Sequence, residues 1–281
     1  MTNRAPPLRW RRLWHFGRTM KIATWNINGS KARIDGLVAW LAEARPDVVC
    51  LQEIKTVDEG FPVADVQALG YHAAVHGQKG FNGVAVLSLA EPVAVSRGLP
   101  GDPDDVQSRF IEATFATAAG PLTVAGLYLP NGNPIGTEKF SYKLAWMDRL
   151  ERHAARRLGE ESLYLMVGDY NVIPQPIDAR HPNNWLNDAL FQPESRASFR
   201  RLETLGFVDA VRAASDAALY TFWDYQAGAW QKNDGIRIDH CLLSPQAADR
   251  LTAVGIDRHV RGWEKPSDHV PVWVELSVGA P

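Results

Sequence analysis

Gly168-Asp169-Tyr170-Asn171 follows the apolar run of residues 163–167 and sets an acid beside an amide where a buried strand leaves the core. A strand end at the rim of a core is a good place for chemistry. Taken alone, such a stretch is more often an Asx-turn that caps its own backbone. The same event recurs along the chain. Apolar runs are followed by Asn26 and Asn28, by Glu53, by Tyr128 and Asn131, and then by Asp169 and Asn171. Asp239 and Ser267-Asp268-His269 accompany two later apolar runs. In open sheets, functional groups gather beyond strand ends, where loops converge. Asp239 lies within an apolar run, and a buried carboxylate is costly unless paired. His269 is the natural group to satisfy it.

Positioning these residues requires many strands and few helices. Strands are expected at 22–25, 47–52, 71–76, 83–88, 109–115, 122–129 and 163–167, with two clear ones at 236–243 and 270–276. Residues 207–211 and 221–223 read as short strands. Helical spacing of apolar residues marks segments near 34–41, 64–69 and 194–205, and a long helix at 138–158. Along that helix Phe140, Leu144, Met147, Leu150, Ala154 and Leu158 form the stripe, with Arg149, Arg152, Arg156 and Arg157 on a solvated face. The alternation indicates an α/β or α+β domain with a large mixed sheet and no internal repeat.

The chain has 281 residues, 46% hydrophobic, enough to bury a large core, and its ten tryptophans favour an extensive core or an aromatic-lined surface. Cys50 and Cys241 both sit in apolar runs and read as reduced, packed thiols, which points to a cytoplasmic protein. No apolar stretch approaches the length of a membrane span. Residues 1–19 hold five arginines and no acid, so a net charge of -2 leaves -7 on the remainder. An acidic body argues against a protein that coats nucleic acid by charge alone, and suits an enzyme whose acidic cluster is offset by bound metal. Residues 1–19 are expected to be a disordered leader or an over-extended start, Met20 the functional start, and residues 20–278 a single catalytic domain.

The chain resembles the exonuclease III family of DNA-repair enzymes, within the DNase I-like phosphoesterase group. The resemblance runs from Met20 to about Leu276. It rests on Thr24-Trp25-Asn26-Ile27-Asn28-Gly29, on Pro46 through Glu53, and on His76-Gly77-Gln78-Lys79-Gly80. It continues with Gly126 through Gly132, Gly168-Asp169-Tyr170-Asn171, Arg237-Ile238-Asp239 and Glu264 through His269, in the family's order. It implies a four-layer α/β sandwich, two mixed β-sheets packed face to face with helices outside.

The resemblance also implies roles. Glu53 matches the principal ligand of a catalytic Mg²⁺, with Asn26 and Asp268 beside it and Asn28 close by; oxygen ligands suit Mg²⁺ or Mn²⁺ rather than Zn²⁺. Asp169 matches the residue that holds and deprotonates the attacking water, although a share in holding the metal stays open. Asn171 matches a phosphate contact, His269 oriented by Asp239 faces the phosphate oxygens, and Tyr128 helps the phosphate or the leaving oxygen. Lys79, Phe81, Asn82, Arg109 and Asn131 match DNA-side positions. Phe222 and Trp223 match an aromatic pair of an abasic-site recognition segment, with Ile236 and Ile238 completing an apolar pocket. Some family members carry a bulkier aromatic where Ile236 stands, and the loop from Gln175 to Asn187 follows no carried pattern. The implied activity is Mg²⁺-dependent cleavage of double-stranded DNA 5′ to abasic sites and removal of nucleotides from 3′ ends, by a monomer with no membrane association. The alternatives are another DNase I-like phosphoesterase, acting on inositol phosphates or sphingomyelin, and a catalytically inactive DNA-binding relative.

Overall fold

The computed structural model describes residues 18–279. The arginine-rich leader expectation falls, for residues 1–17, outside the described residues. At its end it is corrected: Thr19 begins the first strand, paired with Ser277, and the Arg18 carbonyl accepts from the Val278 amide at 2.9 Å.

The strands in chain order are β1 (Thr19–Asn26), β2 (Val48–Gln52), β3 (His72–His76), β4 (Val84–Ser88), β5 (Ala94–Arg97) and β6 (Phe110–Thr117). They continue with β7 (Gly120–Tyr128), β8 (Leu163–Asp169), β9 (Val208–Asp209), β10 (Asp239–Leu243), β11 (Leu251–Ile256) and β12 (Val272–Ser277). The α-helices are α1 (Ile34–Ala44), α2 (Val63–Gln67), α3 (Glu138–Leu158), α4 (Pro193–Leu205), α5 (Ala210–Ala214), α6 (Ala229–Lys232) and α7 (Pro245–Ala248). The strands form two six-stranded mixed sheets, ordered β11-β12-β1-β2-β4-β3 and β5-β6-β7-β8-β10-β9.

The two sheets face one another across a core of Ile22, Val48, Cys50, Val86, Ile111, Val124, Leu165, Val167, Cys241 and Val274. Side chains on a strand alternate between faces, so the neighbours of these residues cover the outer faces. Val49 and Leu51 pack with Leu37, Trp40 and Leu41 of α1 and Val66 of α2. Ala125, Leu127, Tyr164 and Met166 pack with Trp146, Met147 and Leu150 of α3 and Phe199 and Leu202 of α4. Because β2, β7 and β8 are covered on both faces, their sequences run continuously apolar, as buried strands should. Cys50 and Cys241 are buried free thiols in facing sheets.

Direction decides which strand ends meet. β1 and β2 are parallel, as are β7 and β8, so each pair ends on the same edge. β12 runs antiparallel to β1 and β10 antiparallel to β8, with Asp239 opposite Asp169. Asp268-His269 therefore reach the edge just before β12, and Asp239 reaches it as the first residue of β10.

The sequence reading misplaces several elements. Residues 221–223 make isolated bridges, Phe222 to Ile236 and to His269, instead of a strand. Val208–Asp209 is a two-residue strand that passes straight into α5, with the Asp209 carboxylate accepting from Val211 N and Arg212 N. β5 was not foreseen because its residues are largely exposed and give no apolar alternation. On α3 the arginine face is only partly solvated: Arg149 is buried and ion-paired to Asp102 and Asp105, and Arg157 is paired to Glu112 and Glu160.

Candidate active site

The edge where β1, β2, β7 and β8 end carries one continuous polar network. Asn26, the last residue of β1, is fully buried, and its Nδ2 donates to Glu53 Oε1 at 2.8 Å and to Asp169 Oδ2 at 3.0 Å. One amide thus ties the first sheet to the second. Asn28 N returns to Asn26 Oδ1 at 3.1 Å, and Asn28 Nδ2 donates to Asp268 Oδ1 at 3.0 Å. Lys55, which the sequence reading did not single out, donates to Glu53 Oε2 at 2.9 Å and also to Asn28 Oδ1. Asn28, Glu53 and Asn171 all adopt left-handed backbone conformations, with φ of 49°, 51° and 46°. Such conformations cost energy for residues other than glycine and persist where the surroundings enforce them.

On the second sheet, Asp169 Oδ1 accepts from its own loop at Asn171 N, 2.9 Å. Asn171 Nδ2 donates to the Leu129 carbonyl at 2.9 Å, and its Oδ1 accepts from Asn131 Nδ2 at 3.1 Å. His269 lies across the seam. Its Nδ1 pairs with Asp239 Oδ2 at 2.9 Å, which leaves Nε2 turned to Asp169 Oδ2, 3.8 Å away. The ring is fixed from behind, because Trp25 Nε1 donates to the His269 carbonyl at 3.1 Å and His269 N donates to Ser267 Oγ at 3.2 Å. Phe222 packs edge-on against it, ring centroids 4.9 Å apart.

Charge in this cluster is set by competing effects. Burial raises the Asp169 pKa, opposed by the His269 charge and reinforced by Asp239, and the result is a carboxyl held well above its usual range. Burial would lower the His269 pKa, but the Asp239 and Asp169 carboxylates outweigh it and hold the ring as imidazolium. For Glu53, burial is overcome by hydrogen bonds from Asn26 and Lys55 and by the charge of Lys55, so it stays ionised below the ordinary value. Burial, then Glu53 and Asp169, raise the Tyr128 pKa well above that of a free phenol, so it remains a donor. Asp239 Oδ1 is buried with no hydrogen-bond partner among the described residues.

Two groupings could hold a cation. Donor atoms of Asp169, Asp239 and His269 lie within 4.8 Å of one another. The other is the expected set of Glu53, Asp268, Asn26 and Asn28, all oxygen-bearing. In that set the Lys55 ammonium already contacts both Glu53 and Asn28, so their oxygens converge on a common cationic point. An all-oxygen donor set matches a hard divalent ion, whereas the His269–Asp239 pair is spent on its own hydrogen bond.

Glu53, Tyr128, Asn131, Asp169, Asn171, Asp268 and His269 line one cavity of ≈ 170 Å³. Its far wall is Trp185, Leu190, Phe222, Ile236 and Ile238, with Asn133 and Asp188 at the side. The structure separates the expected aromatic pair. Phe222 lines the cavity, but Trp223 is fully buried on the opposite side, against Tyr220 and Trp230. Adjacent residues in extended chain point opposite ways, so both cannot face one pocket. The aromatic that shares this wall with Phe222 is Trp185, from the loop without a carried pattern. That loop is pinned where Asp178, fully buried, accepts from Arg237 Nε at 2.7 Å, while Arg237 NH1 donates to Asp209 at 2.7 Å. Arg237 of the Arg-Ile-Asp motif is thus a fastening between loop and sheet.

Away from the cavity, Lys79 is exposed and Phe81 is 74% exposed. Asn82 is buried and donates to Gln78 Oε1 at 3.0 Å. Arg109 stacks on Tyr128, 4.8 Å from ring centroid, and donates to the Tyr128 carbonyl at 3.2 Å.

A model of the Endonuclease/Exonuclease/phosphatase family matches residues 23–269. The chain is 39% identical over 266 residues to exodeoxyribonuclease III of Haemophilus influenzae, covering 92% of this chain and all of that one. Its fold superposes on an AP endonuclease from Archaeoglobus fulgidus with a TM-score of 0.87 at 38% identity, covering 92% of this chain and 100% of the other. A 3′ phosphatase from Neisseria, solved with a product DNA hairpin, gives a TM-score of 0.87 at 36% identity, with coverage of 92% and 99%.

Proposed function

Because the chain belongs to the Endonuclease/Exonuclease/phosphatase family, we propose that it is a DNA-repair phosphodiesterase, Mg²⁺-dependent, that incises duplex DNA 5′ to abasic sites and removes nucleotides from 3′ ends. The nuclease assignment is supported by the exodeoxyribonuclease III and AP endonuclease relatives. The observation that carries the abasic-site specificity is the shared cavity. Catalytic polar groups and a wholly apolar end line the same ≈ 170 Å³. That is below the roughly 300 Å³ at which drug-sized ligand pockets begin, which favours a small group such as a baseless sugar at its apolar end. A flipped sugar without its base also costs less unstacking than an intact nucleotide.

The chemistry follows from the residues. Asp169, close to His269 and raised toward neutrality, takes a proton from water as the new P–O bond forms. The His269 Nε2–H, fixed by Asp239 on the other nitrogen, donates to a non-bridging phosphate oxygen as charge builds there. Asn171, held by Asn131, contributes a second polar contact to the phosphate. The Tyr128 hydroxyl, kept protonated, donates toward the departing 3′ oxygen as the P–O3′ bond breaks. Glu53, Asp268, Asn26 and Asn28 would hold a divalent cation, which would supply charge neutralisation at the phosphate and at the leaving oxygen. Lys79, Phe81, Asn82 and Arg109 provide contacts to the flanking duplex. A monomer in the cytoplasm is the setting we propose, in keeping with two packed free thiols; no helix among the described residues is long and apolar enough to cross a membrane.

A duplex bearing one abasic analogue tests the reading. Incision 5′ to the lesion is expected with Mg²⁺ and none with EDTA. An intact duplex in Mg²⁺ together with hydrolysis of an inositol phosphate would overturn it in favour of a different phosphoesterase.

A further inference from the structure

Lys143 is a buried titratable group that the chemistry above leaves unused. It lies near the start of α3 with 0% exposure, on the buried side of a helix whose next inward residues are Trp146 and Met147. A methionine there would pack at little cost, whereas burying an ammonium away from a carboxylate is expensive. Lys143 makes no ion pair among the described residues. Its Nζ donates instead to two main-chain carbonyls, Asn131 at 3.1 Å and Asn171 at 2.6 Å. Burial pulls its pKa down to about 7, against the more distant charges of Asp169 and Asp188.

Those two carbonyls belong to residues whose side chains also join, Asn131 Nδ2 to Asn171 Oδ1 at 3.1 Å. The loop after β7 and the loop after β8 are thus linked twice, once through the amides at the cavity and once through the ammonium behind them. Gly132 shows that the first loop is shaped around Lys143: a Cβ on it would lie 2.6 Å from Lys143 Cδ, at a φ of +86°. The second loop turns at Asn171 with φ +46°, and the ammonium holds the carbonyl of that strained residue.

We infer that Lys143 is a positioning residue, whose ammonium clamps these two loops and sets the Asn131–Asn171 amide pair at the phosphate. The inference rests on the reading of Asn171 as a phosphate contact. It accounts for a cation buried next to Trp146 and Met147 on α3 and for a glycine where its stem passes.

Lys143→Met, of similar length and without donors, tests it. The expected result is a kcat for abasic-site incision lowered about 10²-fold, the scale of a small misplacement at a reacting centre. The KM for DNA, the half-activating Mg²⁺ concentration and the melting temperature should be unchanged. The side-chain ¹⁵N amide signals of Asn131 and Asn171 should shift while the remaining spectrum holds. Lys143→Gln, a neutral donor one atom shorter, should fall between. A wild-type kcat in Lys143→Met with both amide signals unmoved would overturn the inference. If the wild type itself does not incise, the substrate reading fails, and the two amide signals alone decide the role of Lys143. Should both variants fail to fold, the ammonium is a stability element and the inference is wrong.

Discussion

Two polar clusters, one on the second sheet and one at the seam between the sheets, show opposite treatments of a carboxylate. Glu112, on β6 under α3, accepts from Tyr164 OH at 2.6 Å and His153 Nε2 at 2.7 Å, and Arg157 binds both of its oxygens. Burial alone would raise its pKa; His153, Arg157 and Tyr164 overcome it and hold the group at about 2. At the strand-end edge, by contrast, Glu53, Asp169 and Asp239 have only Lys55 and His269 as ion-pair partners among the described residues, and Asp268 has none. One Asp239 oxygen is unpartnered there, and Asp169 is pushed upward. The first cluster is saturated and closed. The second is short of donors and of positive charge, and is completed by what binds there.

The contrast is testable from the largest effect down. Asp169→Asn removes a carboxyl that burial and Asp239 already disfavour. It should lower single-turnover incision by about 10³- to 10⁴-fold, the upper range for loss of a general base, while the melting temperature stays level or rises. A drop in melting temperature would mean that the two clusters are held by the same forces. Glu112→Gln should do the reverse, costing about 3 kcal/mol of stability in denaturant titration with incision unaltered. Impaired catalysis in a fully folded Glu112→Gln protein would erase the distinction.

The pH dependence of stability sharpens it. Glu112 has a folded pKa near 2 against 4.5 for the free group. The folded state therefore binds the proton more weakly, and the stability Glu112 contributes is full above pH 4.5 and disappears as pH falls toward 2. Acid titration of the wild type should lose roughly 2–3 kcal/mol more over that window than Glu112→Gln does; parallel curves would contradict the assignment. The smallest expected effect is that of Glu53→Ala. It should raise the Mg²⁺ needed for half-maximal incision by at least the roughly 10-fold that loss of a supporting metal contact costs. Unchanged metal dependence would remove Glu53 from the cation site.

Much of the site was legible in the chain because the buried strands are continuously apolar, so the first polar residue after each one stands out. Asn26, Glu53, Asp169 and Asn171 were visible on that ground, and the direction of β10 and β12 explains why Asp239 and His269 join them from the other side. What was not legible depends on packing. Lys143 occupies a position three residues after Phe140 on the α3 stripe, a signal present in the spacing but not separable from a solvated lysine without knowing what lies above it. Trp185 sits in a loop whose course is fixed by Asp178 and Arg237, residues far apart in sequence. Trp223 was read with Phe222 as a pair because both are aromatic, although alternation sends them to opposite sides.

The Asn26 amide, bonded to one carboxylate from each sheet, makes the site a gauge of how the two layers sit on each other. Their separation is set in the middle of the sandwich, where Gly126 of β7 faces Cys50 of β2 so closely that a Cβ would fall 2.9 Å from the cysteine's own. A methyl group added at Gly126 would act as a shim. It would prise apart the Glu53 side from the Asp169 side without altering any residue that touches substrate, and turnover would register interlayer spacing as a vernier registers thickness.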